Sequence, residues 1–162
     1  MSSKKISWLA LFVALSVVGG MIKVPAPIAS VALDSFPALI AAVLLGPAAG
    51  ALVGAFGHLV SALIGGLPLG PLHVVVALEM AAAVWMFGKL YVSGRKGVAV
   101  AVFILFNGFV SPAPFILLMG LPFYIGVVLG ITVAAIFNGV IAAILIPRLA
   151  QAIEKRFGRL HA

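Results

Sequence analysis

The chain has no cysteine in 162 residues, which excludes disulfides, thiolate metal sites and a cysteine nucleophile. It is almost as poor in acid: Asp34, Glu79 and Glu154 are its only carboxylates besides the C-terminus. Charged residues of both signs make up 8% of the sequence against 65% hydrophobic, and the mean hydropathy is +1.36. A water-soluble fold of this length has too much surface for its volume to hide that apolar content, so lipid must be the solvent for much of it. Also missing are a phosphate-binding glycine loop, an HExxH pair, a Ser–His–Asp order and a row of charges able to line a pore. The net charge of +7 has no polar basic face around it, which excludes nucleic acid as a partner.

What is present is a topological signal. Lys4 and Lys5 precede the first apolar stretch. Lys89, Arg95 and Lys96 form a middle cluster, and Arg148, Lys155, Arg156 and Arg159 close the chain. Only Lys23 stands apart. The positive-inside rule puts all three clusters in the cytoplasm, which requires an even number of crossings in each half. The resulting expectation is an all-α integral membrane protein of six transmembrane helices, with both termini cytoplasmic and residues 1–162 forming one membrane-embedded domain. Residues 1–22 imitate a signal peptide, but the apolar run approaches a full span and reads as a retained first helix.

The helices are expected over Ile6–Ile22, Phe36–Leu45, Ala48–Ile64, Pro71–Val92, Val98–Val110 and Pro122–Ile146. Gly46-Pro47 stops one helix and starts the next. Charge parity demands this split, although it leaves a second helix of about 12 residues, about 18 Å long. That is too short for a 30 Å hydrocarbon core, so neighbours must shield it. Lys23–Asp34 is expected to be an ordered non-helical loop. Gly65–Gly70 and the Pro/Gly-bounded Phe115–Gly120 complete the outer face, and Pro147 is expected to begin a basic amphipathic tail at the inner surface.

Polar groups at membrane depth are costly and usually functional. Glu79 lies about eight residues, about 12 Å, into the fourth helix. With no basic side chain at that depth, it must keep its proton or pair with His58. His58 and Ser61 share one helix face, as do Asn107 and Ser111. With Asp34, His73, Phe36 and Tyr124 near the outer mouth, these give the expected substrate-binding set: Asp34, Phe36, His58, Ser61, His73, Glu79, Asn107 and Tyr124. Asn138, far down the last helix, reads as packing. Gly50, Gly54 and Gly57 suggest a close-packing seam, and Ala10 and Ala14 a shallow groove. An integral-membrane enzyme would have to use His58, His73 and Glu79, which lack metal-ligand spacing; neither catalysis, a metal nor a cofactor is expected.

The A-L-F-V-A stretch at Ala10–Ala14 and the segment Val31–Ala83, with its Leu44-Leu45-Gly46-Pro47 turn, resemble the substrate-binding S components of energy-coupling factor vitamin transporters. The resemblance implies a multi-pass protein of the cell membrane that captures a vitamin or precursor from outside. It would dock through Ala10 and Ala14 onto a transmembrane coupling protein served by two ATPase subunits. The D-S-F-P, G-H-L-V-S-A-L, P-L-G-P-L-H and A-L-E-M segments look most like the group assigned to α-ribazole, the nucleoside precursor of the lower ligand of cobalamin. Riboflavin, pantothenate and folate are the competing cargoes, and a solo membrane carrier the competing function.

Overall fold

In the computed structural model, residues 3–24 and 31–157 are described. Helix α1 (Ser3–Met21) leads into a two-residue strand β1 (Lys23–Val24), which pairs antiparallel with β2 (Val31–Ala32) in the register Lys23 to Ala32. The loop expected over Lys23–Asp34 is thus closed by a short ladder, and its tip, residues 25–30, lies outside the described residues, as does Arg159. Helices α2 (Phe36–Leu44), α3 (Pro47–Ile64), α4 (His73–Val92), α5 (Lys96–Leu105), α6 (Phe115–Met119) and α7 (Leu121–Phe157) follow, with a single 3-10 turn at Gly70–Leu72.

Among the described residues, five helical stretches are long and apolar enough to cross a membrane: Ser3–Met21, Pro47–Ile64, Gly70–Val92, Lys96–Met119 and Leu121–Ile153. Their outward faces carry large apolar side chains such as Phe56, Leu78 and Ile125, and Leu117 is 90% exposed, which suits lipid rather than water. The break at Gly46-Pro47 falls where expected. Leu45 ends α2, Gly46 takes φ 100°, which only glycine adopts without strain, and Pro47 opens α3.

Helix α2 has nine residues, roughly 14 Å. It is wrapped by its neighbours: Ala38, Leu39, Ala41 and Ala42 are fully buried, and α1, α3, α4 and α7 pack around it. This meets the requirement that a helix too short for the bilayer be shielded by protein.

The three α3 glycines fan out to three different partners instead of forming one seam. Gly50 faces Ala42 of α2, Gly54 faces Met80 and Val84 of α4, and Gly57 faces Ser16 of α1. A Cβ on Gly50 would overlap the Ala42 main chain, which cannot swing aside as a flexible side chain can. Gly50→Ala is therefore expected to destabilise the protein by about 2 kcal/mol, read as a lower midpoint of thermal unfolding in detergent; an unchanged midpoint would show that α2 and α3 can separate freely.

The same contacts fix helix directions. Ser16 and Gly20 of α1 meet Gly57 and Ser61 of α3, so those helices run parallel, while Gly88 of α4 returns to Pro47, so α4 runs back. Gly108 meets Thr132, and Gly139 meets Val100 and Ile104, so α5 and α7 are antiparallel. Lys4, Lys5, Lys89, Arg95, Lys96 and Arg148 consequently gather at one end of the bundle. Lys89 lies over Trp85 and Lys96 over Tyr91, with 5.5 and 5.7 Å from cation to ring centre. The β ladder and the 65–72 and 111–120 connections form the other end.

Two expectations at the ends of helices are corrected. Phe115–Gly120, expected as a loop, contains α6. Pro147 does not begin a separate tail: α7 runs through it to Phe157, because Ile146 is buried and Leu149, Ala150 and Ile153 continue to pack on the core. That packing outweighs the one backbone hydrogen bond a proline removes.

Candidate functional site: a polar-walled cavity at the end opposite the basic clusters

Between α3, α4, the α5 extension and α7 lies a cavity of about 450 Å³. Of the eight expected binding residues, Asp34, His58, Ser61, His73, Glu79 and Asn107 line it. Phe36 and Tyr124 do not. Phe36 packs against the core beside Gly19, and the Tyr124 hydroxyl donates to the Phe109 carbonyl at 3.4 Å. Both aromatics sit at helix starts, where spacing does not determine which way a ring turns. Lys23, Ser111 and Asn138 join the lining, with Val76, Met80, Phe115, Met119, Phe123 and Ile131 as its apolar surface. The Phe115 and Phe123 rings are 6.1 Å apart and tilted by 41°.

One wall is a directed hydrogen-bond chain. The Leu69 N–H donates to His73 Nε2 at 3.3 Å. In the neutral ring the proton of His73 then sits on Nδ1, which lies 3.1 Å from His58 Nε2 and donates to it. His58 in turn carries its proton on Nδ1, facing Asp34 Oδ2 at 3.6 Å. The other Asp34 oxygen accepts from Ser35 Oγ at 2.9 Å. Three of the four imidazole nitrogens are thus hydrogen-bonded, and the fourth, His58 Nδ1, faces Asp34 at a distance too long for a hydrogen bond.

His58 turns its nitrogens to His73 and Asp34, and among the described residues no hydrogen bond joins it to Glu79. Glu79 Oε2 is buried with no hydrogen-bond partner, and so is Ser111 Oγ, on a residue 7% exposed. Unpartnered buried polar groups are rare, because each costs on the order of 1–3 kcal/mol. Two of them in one cavity form a surface that seeks hydrogen-bonding partners.

Asn107 and Ser111 belong to a π turn. From Phe106 to Val110 the α5 helix widens, and the Ser111 N–H reaches back five residues to the Phe106 carbonyl at 2.8 Å. Such insertions are frequently found at functional sites. Here Gly108 lets the widened turn press on Thr132 of α7, while Asn107 and Ser111 border the cavity.

Asn138, read from the sequence as packing, borders the cavity and reaches distant partners. Its side chain, 1% exposed, makes contacts to Ser35, Phe36, Ala32 and Ala134. A lone Asn deep in a helix carries no sequence signal distinguishing a long-range partner from local packing. Among the described residues no group of three His, Asp or Glu is placed to hold a metal ion.

A cavity reached from one end of a bundle with five membrane-length helices suits a membrane protein that binds a small solute. The family model for the ECF transporter, substrate-specific component, matches residues 4–150. The chain belongs to this family. It is thus a multi-pass membrane protein and the substrate-specific component of an ECF transporter. ECF S components are substrate-binding subunits rather than enzymes, and they work with a coupling protein and ATPases. No curated protein matches the chain.

Proposed function

We propose that this S component captures α-ribazole at the outer face of the cell membrane and delivers it to an ECF coupling protein and two ATPase subunits for uptake. In this reading the chain crosses the bilayer six times, with α2 as the short crossing. Both termini and the three basic clusters are cytoplasmic, so the cavity opens outward. Asp34, His58, Ser61, His73, Glu79 and Asn107 form the binding wall, and Ala10 and Ala14 meet the coupling protein.

The observation that carries the proposal is the pair of buried polar atoms without partners in the cavity, Glu79 Oε2 and Ser111 Oγ. A ribose brings hydroxyls, which both donate and accept, to such atoms, and a benzimidazole is a flat apolar body for Phe115, Phe123 and Met80. The volume, about 450 Å³, falls within the roughly 300–1,000 Å³ of small-molecule sites. Two carboxyls, Asp34 and Glu79, outnumber the Lys23 ammonium in the lining, which sets the anionic pantothenate and folate behind α-ribazole.

The test is native mass spectrometry of protein purified from cells supplied with α-ribazole, riboflavin, pantothenate and folate together. α-Ribazole is expected to be carried through purification and then to bind the emptied protein without ATP. Retention of another of these vitamins instead would overturn the cargo assignment, and transport by liposomes containing this chain alone would favour a solo carrier.

A further inference from the structure

The four hydrogen-bonding positions of the Asn138 carboxamide are all occupied. Oδ1 accepts from the Ser35 N–H at 3.1 Å and the Phe36 N–H at 2.8 Å, while Nδ2 donates to the Ala32 carbonyl at 3.3 Å and the Ala134 carbonyl at 2.9 Å. A carboxamide has two lone pairs and two N–H groups, so nothing is left over. Three of the four partners lie in residues 32–36, more than 100 positions away in sequence. Helix α2 makes no side-chain cap of its own at Ser35. Asn138 supplies that cap from another helix, satisfying amide groups that a helix start leaves without partners.

Asp34 lies inside the clamped segment, between the Ala32 carbonyl and the Ser35 N–H. On its other side the Leu33 N–H donates to the Ile22 carbonyl at 3.2 Å, and Gly19 lets the Leu33 carbonyl press against α1. Asp34 is thus suspended between α1 and α7, with its carboxylate against His58.

We propose that Asn138 is the positioning residue of the binding wall: by clamping residues 32–36 to α7, it holds Asp34 at His58 and thereby fixes the polarity of the Leu69–His73–His58–Asp34 chain. Asn138 acts on cargo through Asp34 and His58. Its own polar atoms are already taken. A shift of α7 against α1 and α3 would strain this clamp first, so the final helix has direct mechanical control over the shape of the wall. The proposal rests on the wall belonging to the substrate site, but its test needs no cargo, so a wrong vitamin assignment would leave it standing.

The test uses the full chain in detergent, labelled with 15N-histidine; the sequence has three histidines, which makes assignment direct. In the unmodified protein His58 is expected to show the Nδ1–H tautomer, and hydrogen exchange at the Ser35 and Phe36 amides should be strongly slowed. Asn138→Leu is expected to abolish the single-tautomer signature of His58 and speed exchange at those two amides roughly tenfold or more, with exchange in α3 and α4 unchanged. Asn138→Asp keeps an acceptor for both amides but loses the donors to Ala32 and Ala134. It should retain most of the protection at Ser35 and Phe36 yet still disturb His58.

An unchanged His58 signature in Asn138→Leu would overturn the proposal. If that variant fails to fold, Asn138→Asp and the unmodified protein decide. Fast exchange at Ser35 and Phe36 in the unmodified chain, or an undisturbed His58 in Asn138→Asp, would equally overturn it.

Discussion

Glu79→Leu is expected to weaken α-ribazole binding about 100-fold while raising the thermal stability of the empty protein. The two effects share one cause. Glu79 Oε2 is buried without a partner, so the empty protein bears the cost of a desolvated acceptor, on the order of 1–3 kcal/mol. Leucine removes that cost and fits the apolar surface formed by Val76 and Met80. In the proposed complex the Glu79 carboxyl meets a ribose hydroxyl, and leaving that hydroxyl buried without its partner costs about 1–3 kcal/mol, or up to roughly two powers of ten in affinity. Glu79→Gln keeps a carbonyl acceptor and should lose only about tenfold.

Calorimetric titration with α-ribazole, alongside thermal unfolding of the unliganded protein, measures both signs. A residue that merely packed would lower stability when replaced. Reduced stability with undiminished affinity in Glu79→Leu would remove Glu79 from the site.

The second large effect separates capture from delivery. Ala10 and Ala14 are exposed one turn apart in the middle of α1. Small residues let helices of different proteins approach closely in a membrane, where packing supplies most of the attraction. Ala14→Trp, or Ala10→Trp, would hold a partner helix away. Uptake by cells should fall to background, roughly 100-fold or more, and the coupling protein should no longer co-purify, because several kcal/mol of packing is lost.

Cargo affinity should stay within about twofold, a change of less than 0.5 kcal/mol. No described residue of α1 lines the cavity, and the helix touches its wall only beyond this stretch, where Gly20 packs on Ser61 and Asp34. Normal uptake in both tryptophan variants would place the docking surface on another helix.

Much of this was legible in the amino acids because lipid makes polarity conspicuous. The placement of Lys and Arg foretold that Lys4, Lys89, Arg95 and Arg148 would share an end, and helix directions agree. Gly46-Pro47 marked the α2–α3 break to within a residue, since a positive φ followed by a fixed one is local chemistry. His58, His73, Glu79 and Asn107 stood out as polar side chains in apolar stretches, and all four border the cavity.

The sequence did not disclose whatever depended on distant partners. Phe36 and Tyr124 lie outside the cavity lining because ring direction at a helix start follows tertiary packing. Asn138 passed as filler because its partners lie more than 100 residues upstream. The π turn at Phe106–Val110 has no local marker beyond Gly108, whose purpose is visible only beside Thr132. Pro147 carries a strong stop signal, yet burial of Ile146 and packing of Ile153 override it.

The brevity of α2 has a consequence for biogenesis. A nine-residue helix is too short to be held in a bilayer by lipid alone, so when it leaves the ribosome it has no stable resting place until its protein neighbours surround it. Helices α1, α3 and α4 are made early, but the flank against α7, including the amides that Asn138 caps, stays open until the last helix is synthesised. Until α7 is in place, that flank of α2 and its two open amides have lipid for a neighbour, so burial of α2 is completed only by a helix made about 100 residues later.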